Sequence, residues 1–232
     1  VVVLFLGYAL FGAVYPALRL LAIVLAVIFL PWIIVRSHAF NAHHTMWRGL
    51  RFRFHPSLSA AVVIYLLKPL LIPLTFGLYY PAWARDRFAF RIQRHRFGTA
   101  YFHFETTSGP FYRAHLAAGG IIFIGALVLG LWMQWLTNHN GGHIPTTTQT
   151  LPGLLVYGGF ILLAKHYAFA RLFNPVWNGT RLDQHRFRAS LRSGRWLGLQ
   201  LTNLAAIIVS CGLLYPWALI RSARYALESL EL

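Results

Sequence analysis

The sequence predicts an all-α polytopic membrane protein: repeated units of broken or kinked transmembrane helices, with interfacial helices and small cytoplasmic β-hairpins. Three observations predict it. The 232 residues are 57% hydrophobic and only 11% charged, whereas a soluble domain carries about 25% charged residues. Several apolar runs approach or exceed the roughly 18 residues that a spanning helix needs, and they do not alternate polar and apolar as lipid-facing barrel strands would. Finally, the passage Gly77-Leu78-Tyr79-Tyr80-Pro81 has a counterpart near the other end, Gly212-Leu213-Leu214-Tyr215-Pro216.

The charge balance fits the same class. Lys and Arg number 21 against 5 Asp and Glu, a net +16. In a soluble domain that excess would point to nucleic acid. Here the cations sit at the ends of apolar segments, the pattern of cytoplasmic loops in membrane proteins, so nucleic acid is not an expected partner. Nearly all are arginines, whose forked donors suit lipid phosphates. No Walker loop, dinucleotide fingerprint, Ser-His-Asp arrangement or H-E-x-x-H pattern is present, so no enzyme, cofactor or metal is expected. The 11 histidines read as interfacial polar residues. The single cysteine, Cys211, lies in an apolar run and reads as a small buried hydrophobe.

Taken in order, residues 1–35 form one apolar run, interrupted by Pro16 and Arg19. As a single helix it would measure about 50 Å, too long for a ~30 Å hydrocarbon core. The reading is a short helix, a turn near Pro16, and a second helix ending near Pro31-Trp32. Arg19 then lies near the outer interface, where its stem can snorkel. Leu50-Arg51-Phe52-Arg53-Phe54 alternates strictly after Arg48-Gly49, which predicts a β-hairpin over 45–54. Residues 58–80 are apolar but contain Lys68-Pro69 and Pro73, so this segment kinks or folds back. Residues 83–111 are cationic, with a second alternating string at 100–104. Residues 113–136 make a span with Trp132 and Trp135 at its interface. The loop 137–150 has no Lys or Arg and is the clearest non-cytoplasmic segment. The chain returns from Leu151 to about Leu163 or beyond, with Lys165 near a helix end. A third hairpin is expected around Asp183-Gln184, an apolar segment over 196–219, and a short amphipathic surface helix from Arg221 to the end.

Two motifs recur. A proline followed about five residues on by arginine and nine on by an aromatic appears as Pro31-Arg36-Phe40, Pro216-Arg221-Tyr225 and, more loosely, Pro81-Arg85/Arg87-Phe90. The hairpin residues Thr45, Trp47, Phe52 and Phe54 align with His95, Phe97, Phe102 and Phe104, and with Thr180, Leu182, Phe187 and Ala189. Shared spacing predicts a single membrane domain over 1–232 with repeat-like units at about 16–56, 57–112 and 150–232.

These motifs carry a resemblance. Phe40-Asn41 with Arg51 to Phe54, Gly77 to Pro81, Asn178 to Phe187 (NGTRLDQHRF), and Gly212 to Ala218 with Arg221 and Arg224-Tyr225 are similar to the YjgN-like family of bacterial inner-membrane proteins, whose function is not established. The resemblance implies a multi-pass inner-membrane address and a further N-terminal unit before Val1. It supplies no catalytic residues. Two positions depart from the family pattern: Pro81-Ala82-Trp83 replaces Pro-Trp-Ala, and Asp183-Gln184 replaces Asp-Gly, which leaves that tight turn's type open.

Both flanks of 58–80 and of 196–219 are basic, so a single crossing conflicts with the charge rule. Each segment either re-enters or has one basic flank outside; the Lys68-Pro69 break favours re-entrance for the first. Lys68 and Asn203 stand nine residues before Gly77 and Gly212. With Lys165 they are the candidate intramembrane polar site, because ionisable groups in a span are costly and mark function or internal pairing. Arg36, Arg85, Arg87, Arg221, Arg224, Trp83 and Trp217 are the candidate lipid-phosphate and interfacial residues. Asp86, Glu105 and Asp183 are expected to neutralise nearby arginines. The leading expectation is a transporter or channel for a small solute or ion. The alternative is a non-transporting scaffold or anionic-lipid-binding protein. The bilayer is the expected partner, and a homo-oligomer is compatible with both.

Overall fold

The computed structural model describes residues 16–143 and 145–231, in two compact units, 1–103 and 104–232. The expected short helix before Pro16 and the placement of Arg19 lie outside the described residues and side chains.

The first unit starts with α1 (Pro16–His44). It runs straight through Pro31, correcting the expected break there. An apolar helix tolerates proline where neighbouring groups re-satisfy the freed backbone, and Pro31 is fully buried. The helix then turns into β1 (Met46–Trp47) and β2 (Leu50–Phe54). Arg48 and Gly49 both have positive φ, 48° and 79°, the signature of the type I′ hairpin turn that the alternating string requires. Next come α2 (Leu58–Leu74), α3 (Tyr80–Gln93), β3 (His95–Phe97) and β4 (Ala100–Phe104). β1 to β4 form an antiparallel sheet in sequential order, with Phe54 opposite His95 and Phe97 opposite Ala100.

Helix α2 contains a π-turn over Val63–Leu67. Lys68 N donates to Val63 O, one carbonyl further back than in an α-helix. The Ile64 carbonyl is thereby released, and it accepts instead from the Trp83 indole at 2.7 Å. That bond cross-links α2 and α3.

The second unit contains α4 (Ser108–His139) and α5 (Thr147–Asn178), then β5 (Thr180–Leu182), β6 (His185–Arg186), β7 (Arg188–Ala189), α6 (Ser193–Val209), α7 (Tyr215–Glu228) and β8 (Leu230–Glu231). α4 and α5 pack closely: a Cβ on Gly125 would come within 2.6 Å of Phe160, and one on Gly153 within 2.4 Å of Trp132. Small residues at such contacts are how apolar helices approach one another. Among the described residues, α1 from Leu20 onward, α4 and α5 are the helices long and apolar enough to cross a membrane.

Three further expectations are corrected. Lys165 lies well inside α5 rather than near its end. The tail helix has other bounds than expected: α7 runs Tyr215–Glu228, and the chain ends in β8, which pairs with β7 through Arg188–Glu231 and Ala189–Leu230. Cys211 is exposed, not buried. The third hairpin forms as expected, with Asp183 at φ 53° supplying its turn.

Neither 58–80 nor 196–219 is a single crossing helix. Each belongs to a helical hairpin, α2–α3 and α6–α7, and the two reversals use the same bonds 135 residues apart. Phe76 and Cys211 adopt left-handed φ of 49° and 52°, followed by Gly77 and Gly212 at 85° and 91°. Gly77 N donates to Ile72 O at 2.7 Å, and Gly212 N to Ile207 O at 2.8 Å. With Phe76 N to Pro73 O and Cys211 N to Ile208 O, these are the paired bonds of a Schellman cap. Thr75 Oγ1 accepts from Tyr79 N, and Ser210 Oγ from Leu214 N, both at 3.0 Å. Every backbone N–H of 75–80 and 210–215 has a partner, as an apolar surrounding demands. Around these turns the side chains point outward: Phe76 is 97% exposed and Val209 86%.

The offset of 135 extends beyond the turns. Thr45 Oγ1 donates to Asn41 O and Thr180 Oγ1 to Val176 O, both at 2.7 Å. His55 N donates to Arg94 O and Ser190 N to Ser229 O. The cores match as well. Val35, Phe54, Ala61 and Phe90 cluster in the first unit; Ala170, Ala189, Trp196 and Tyr225 pack together in the second. Phe54 with Ala61 becomes Ala189 with Trp196, so bulk moves from strand to helix while one large and one small residue are kept. Close packing requires such compensation.

Candidate functional site

Each helical hairpin is closed by a polar cross-link between residues 18 apart. In the first unit Lys68 on α2 pairs with Asp86 on α3, and Arg85 adds a second contact to Asp86 at 3.2 Å. In the second, Arg221 donates to Asn203 Oδ1 at 3.0 Å and to Thr202 Oγ1 at 2.9 Å. Asn203 Nδ2 in turn donates to Ala218 O at 3.2 Å and to Ser222 Oγ at 3.0 Å. Asn203 is buried and all of its polar atoms are used, as a buried amide requires.

Lys68 and Asn203 therefore occupy equivalent places and differ in chemistry. Lys68 and Asp86 line a cleft of about 630 Å³ with His55, Gln93, Arg94 and Tyr101. Asn203 lines a mainly apolar cleft of about 350 Å³, which the exposed Lys165 also borders. The structure thus brings Lys165 and Asn203 to one cleft and gives Lys68 another.

The interfacial candidates stack cations on rings. Arg87 lies 3.9 Å from the Trp83 ring centroid, Arg221 5.2 Å from Trp217, and Arg36 5.8 Å from Trp32. Trp83 is half-buried and tied to Ile64, whereas Trp217 is exposed. Burial lowers the Arg91 guanidinium below its ordinary value, opposed by Tyr65 and helped by Arg87. Of the expected acidic neutralisers, Asp86 meets Lys68 and Arg85, and Glu105 meets Arg181 at 2.6 Å. Glu105 N also donates to Gly179 O, while Thr106 Oγ1 donates to Pro175 O, pinning the start of α4 to the end of α5.

Arg221 and Arg224 are joined by three residues that the sequence pattern does not single out: Arg192, Arg195 and Glu228. Arg192, Arg195, Arg221, Arg224 and Glu228 line an open cleft of about 900 Å³ between the start of α6 and the end of α7. Two arginines at the start of an apolar run, with no acidic residue in the first turn, were the available signal.

The family follows from a match over residues 1–232 to a model described as "Bacterial protein of unknown function (DUF898)". The chain belongs to this family. The match agrees with the YjgN-like resemblance and with a membrane-associated bacterial protein carrying three long apolar helices among the described residues. No curated protein and no solved structure matches the DUF898 chain.

Proposed function

We propose that this DUF898 protein is a multi-pass protein of the bacterial inner membrane that binds anionic lipid through its basic face, without catalysing a reaction. The observation carrying the reading is the state of the arginines. Arg36, Arg87, Arg221 and Arg224 form no ion pair among the described residues, and three of them lie over tryptophan rings. A guanidinium over an indole is held without a carboxylate, which leaves its charge for phosphate, and tryptophan favours the headgroup zone. In this reading the two helical hairpins are copies of one unit that dips into the bilayer. α6 is about 25 Å long, shorter than a ~30 Å core, and its turn carries exposed apolar side chains.

The test is lipid retention by the purified full chain in nanodiscs of phosphatidylcholine with or without phosphatidylglycerol, read by native mass spectrometry. Preferential retention of the anionic lipid, reduced several-fold by Arg87→Gln with Arg224→Gln, is expected. Equal retention of both lipids would overturn the proposal.

A second reading, passage of a small solute or ion, draws on the cleft that reaches the Lys68–Asp86 pair. Under it, Lys68→Met abolishes uptake into proteoliposomes while the protein still assembles. Unchanged lipid binding and no measurable flux in the unaltered protein would remove it.

A further inference from the structure

The two larger clefts are the same cleft in two units. His55, Ala60, Asp86, Ala89, Gln93 and Arg94 line the first. Ser190, Arg195, Arg221, Arg224, Glu228 and Ser229, each 135 positions later, line the second. The backbone bond across the floor is also conserved between them, His55 N to Arg94 O and Ser190 N to Ser229 O.

Their electrostatics differ. In the first cleft the cation Lys68 has its carboxylate, Asp86. The second holds four arginines, with Arg192, against one carboxylate, Glu228. Its net charge is +3, and none of the four arginines is ion-paired among the described residues. Arg221 is fixed by Thr202 and Asn203, and Arg195 lies 6.0 Å from the Tyr225 ring centroid. Arg192 is the N-cap of α6 and Arg195 lies in its first turn, where the helix dipole is positive and cations are disfavoured. Repulsion among the arginines and opposition from the helix end are both relieved by one bound anion.

We propose that this cleft is a site for a lipid headgroup carrying two negative phosphate charges, and that the equivalent cleft of the first unit is not. The proposal rests on the anionic-lipid reading for the source of the phosphate. A single negative charge leaves the cleft at +2, and a doubly charged headgroup brings it to +1. Four guanidinium forks can grip phosphate oxygens in pairs, and basic pockets between membrane helices hold multiply charged headgroups in this way.

The experiment uses the full chain in phosphatidylcholine nanodiscs doped with phosphatidylglycerol (one charge), cardiolipin (two phosphates) or phosphatidic acid (a phosphomonoester), with bound lipid counted by native mass spectrometry. Cardiolipin or phosphatidic acid should be retained at least tenfold over phosphatidylglycerol. Arg192→Gln/Arg195→Gln should erase that preference while ordinary anionic binding persists. Arg221 is kept because it holds Asn203. Arg224→Lys, which keeps charge but loses the fork, guards against a folding artefact and should lose most of the preference. A wild-type protein without any anionic preference defeats the broader function. A wild-type preference that survives both the double variant and Arg224→Lys defeats this site alone. Displacement of the lipid by millimolar pyrophosphate, with no lipid selectivity in its absence, would reassign the cleft to a free phosphate compound.

Discussion

In the first unit, the hairpin of α2 and α3 is closed by a cation on the first helix and a carboxylate on the second. In the second unit the same two positions hold an amide and a guanidinium. Lys68–Asp86 cancels its own charge; Asn203–Arg221 fixes an arginine in place and leaves its charge uncancelled. One backbone design thus supports two electrostatic outcomes. The turn bonds, the returning strand and the cleft are common to both units, so the difference comes from a few side chains rather than from the fold. A neutral cross-link suits a structural role, and a charged one suits an anion site.

The comparison is most easily broken in the cores. Trp196 is 5% exposed and stands where the first unit has Ala61. Trp196→Ala should destabilise the second unit by about 3–5 kcal/mol. Ala189→Phe added to Trp196→Ala, which installs the first unit's arrangement, should recover part of that loss. Thermal unfolding in detergent checks both. No recovery would mean that the two cores are not equivalent.

The cross-links come next. Asp86→Ala strands a partly buried lysine and should cost roughly 1–3 kcal/mol. Asn203→Ala should cost a similar amount by orphaning the Ala218 carbonyl and part of Arg221. The sharper case is Lys68→Asn with Asp86→Arg, which writes the second unit's pair into the first. The double variant should melt above the Asp86→Arg single, since a lysine facing an arginine is removed; the same melting curves decide it.

The turns should give the smallest effect, and an equal one. A Cβ on Gly77 or Gly212 meets nothing within 4 Å, so alanine there carries only the left-handed backbone penalty, about 1 kcal/mol. Matching losses in Gly77→Ala and Gly212→Ala are expected by chemical denaturation. Unequal losses would show that the two reversals lie in different surroundings.

Much of this was legible in the sequence, and what was hidden has physical reasons. Gly-Leu-Tyr-Tyr-Pro and Gly-Leu-Leu-Tyr-Pro announce the reversals, because a positive φ needs glycine and a helix start accepts proline. The strict alternation of Leu50 to Phe54 announces the first β-hairpin. Pro31 misled, since its spacing to Arg36 and Phe40 copies the motif at Pro216 while its buried ring sits inside a continuous helix. The offset of 135 was obscured where equivalence is preserved by exchange: Ala61 against Trp196, Phe54 against Ala189, Lys68–Asp86 against Asn203–Arg221. Local similarity vanishes at those positions because packing volume and hydrogen bonding are conserved by the pair, not by the residue. β7 and β8, two residues each, are too short for any periodic signal. The arginine cleft was hidden because its members come from two helices that only the reversal brings together.

The central claim is that the helical hairpins enter the bilayer and return without crossing it. Cys211, at the turn between α6 and α7, tests it directly. In membrane vesicles of either orientation, the native Cys211 should resist a membrane-impermeant maleimide and react only after denaturation. In a Cys211→Ser background, Arg51→Cys and Ser229→Cys should react from one face and Thr147→Cys from the other. Rapid labelling of Cys211 from the aqueous phase in intact vesicles, or labelling of Ser229→Cys and Thr147→Cys from the same face, would contradict the account.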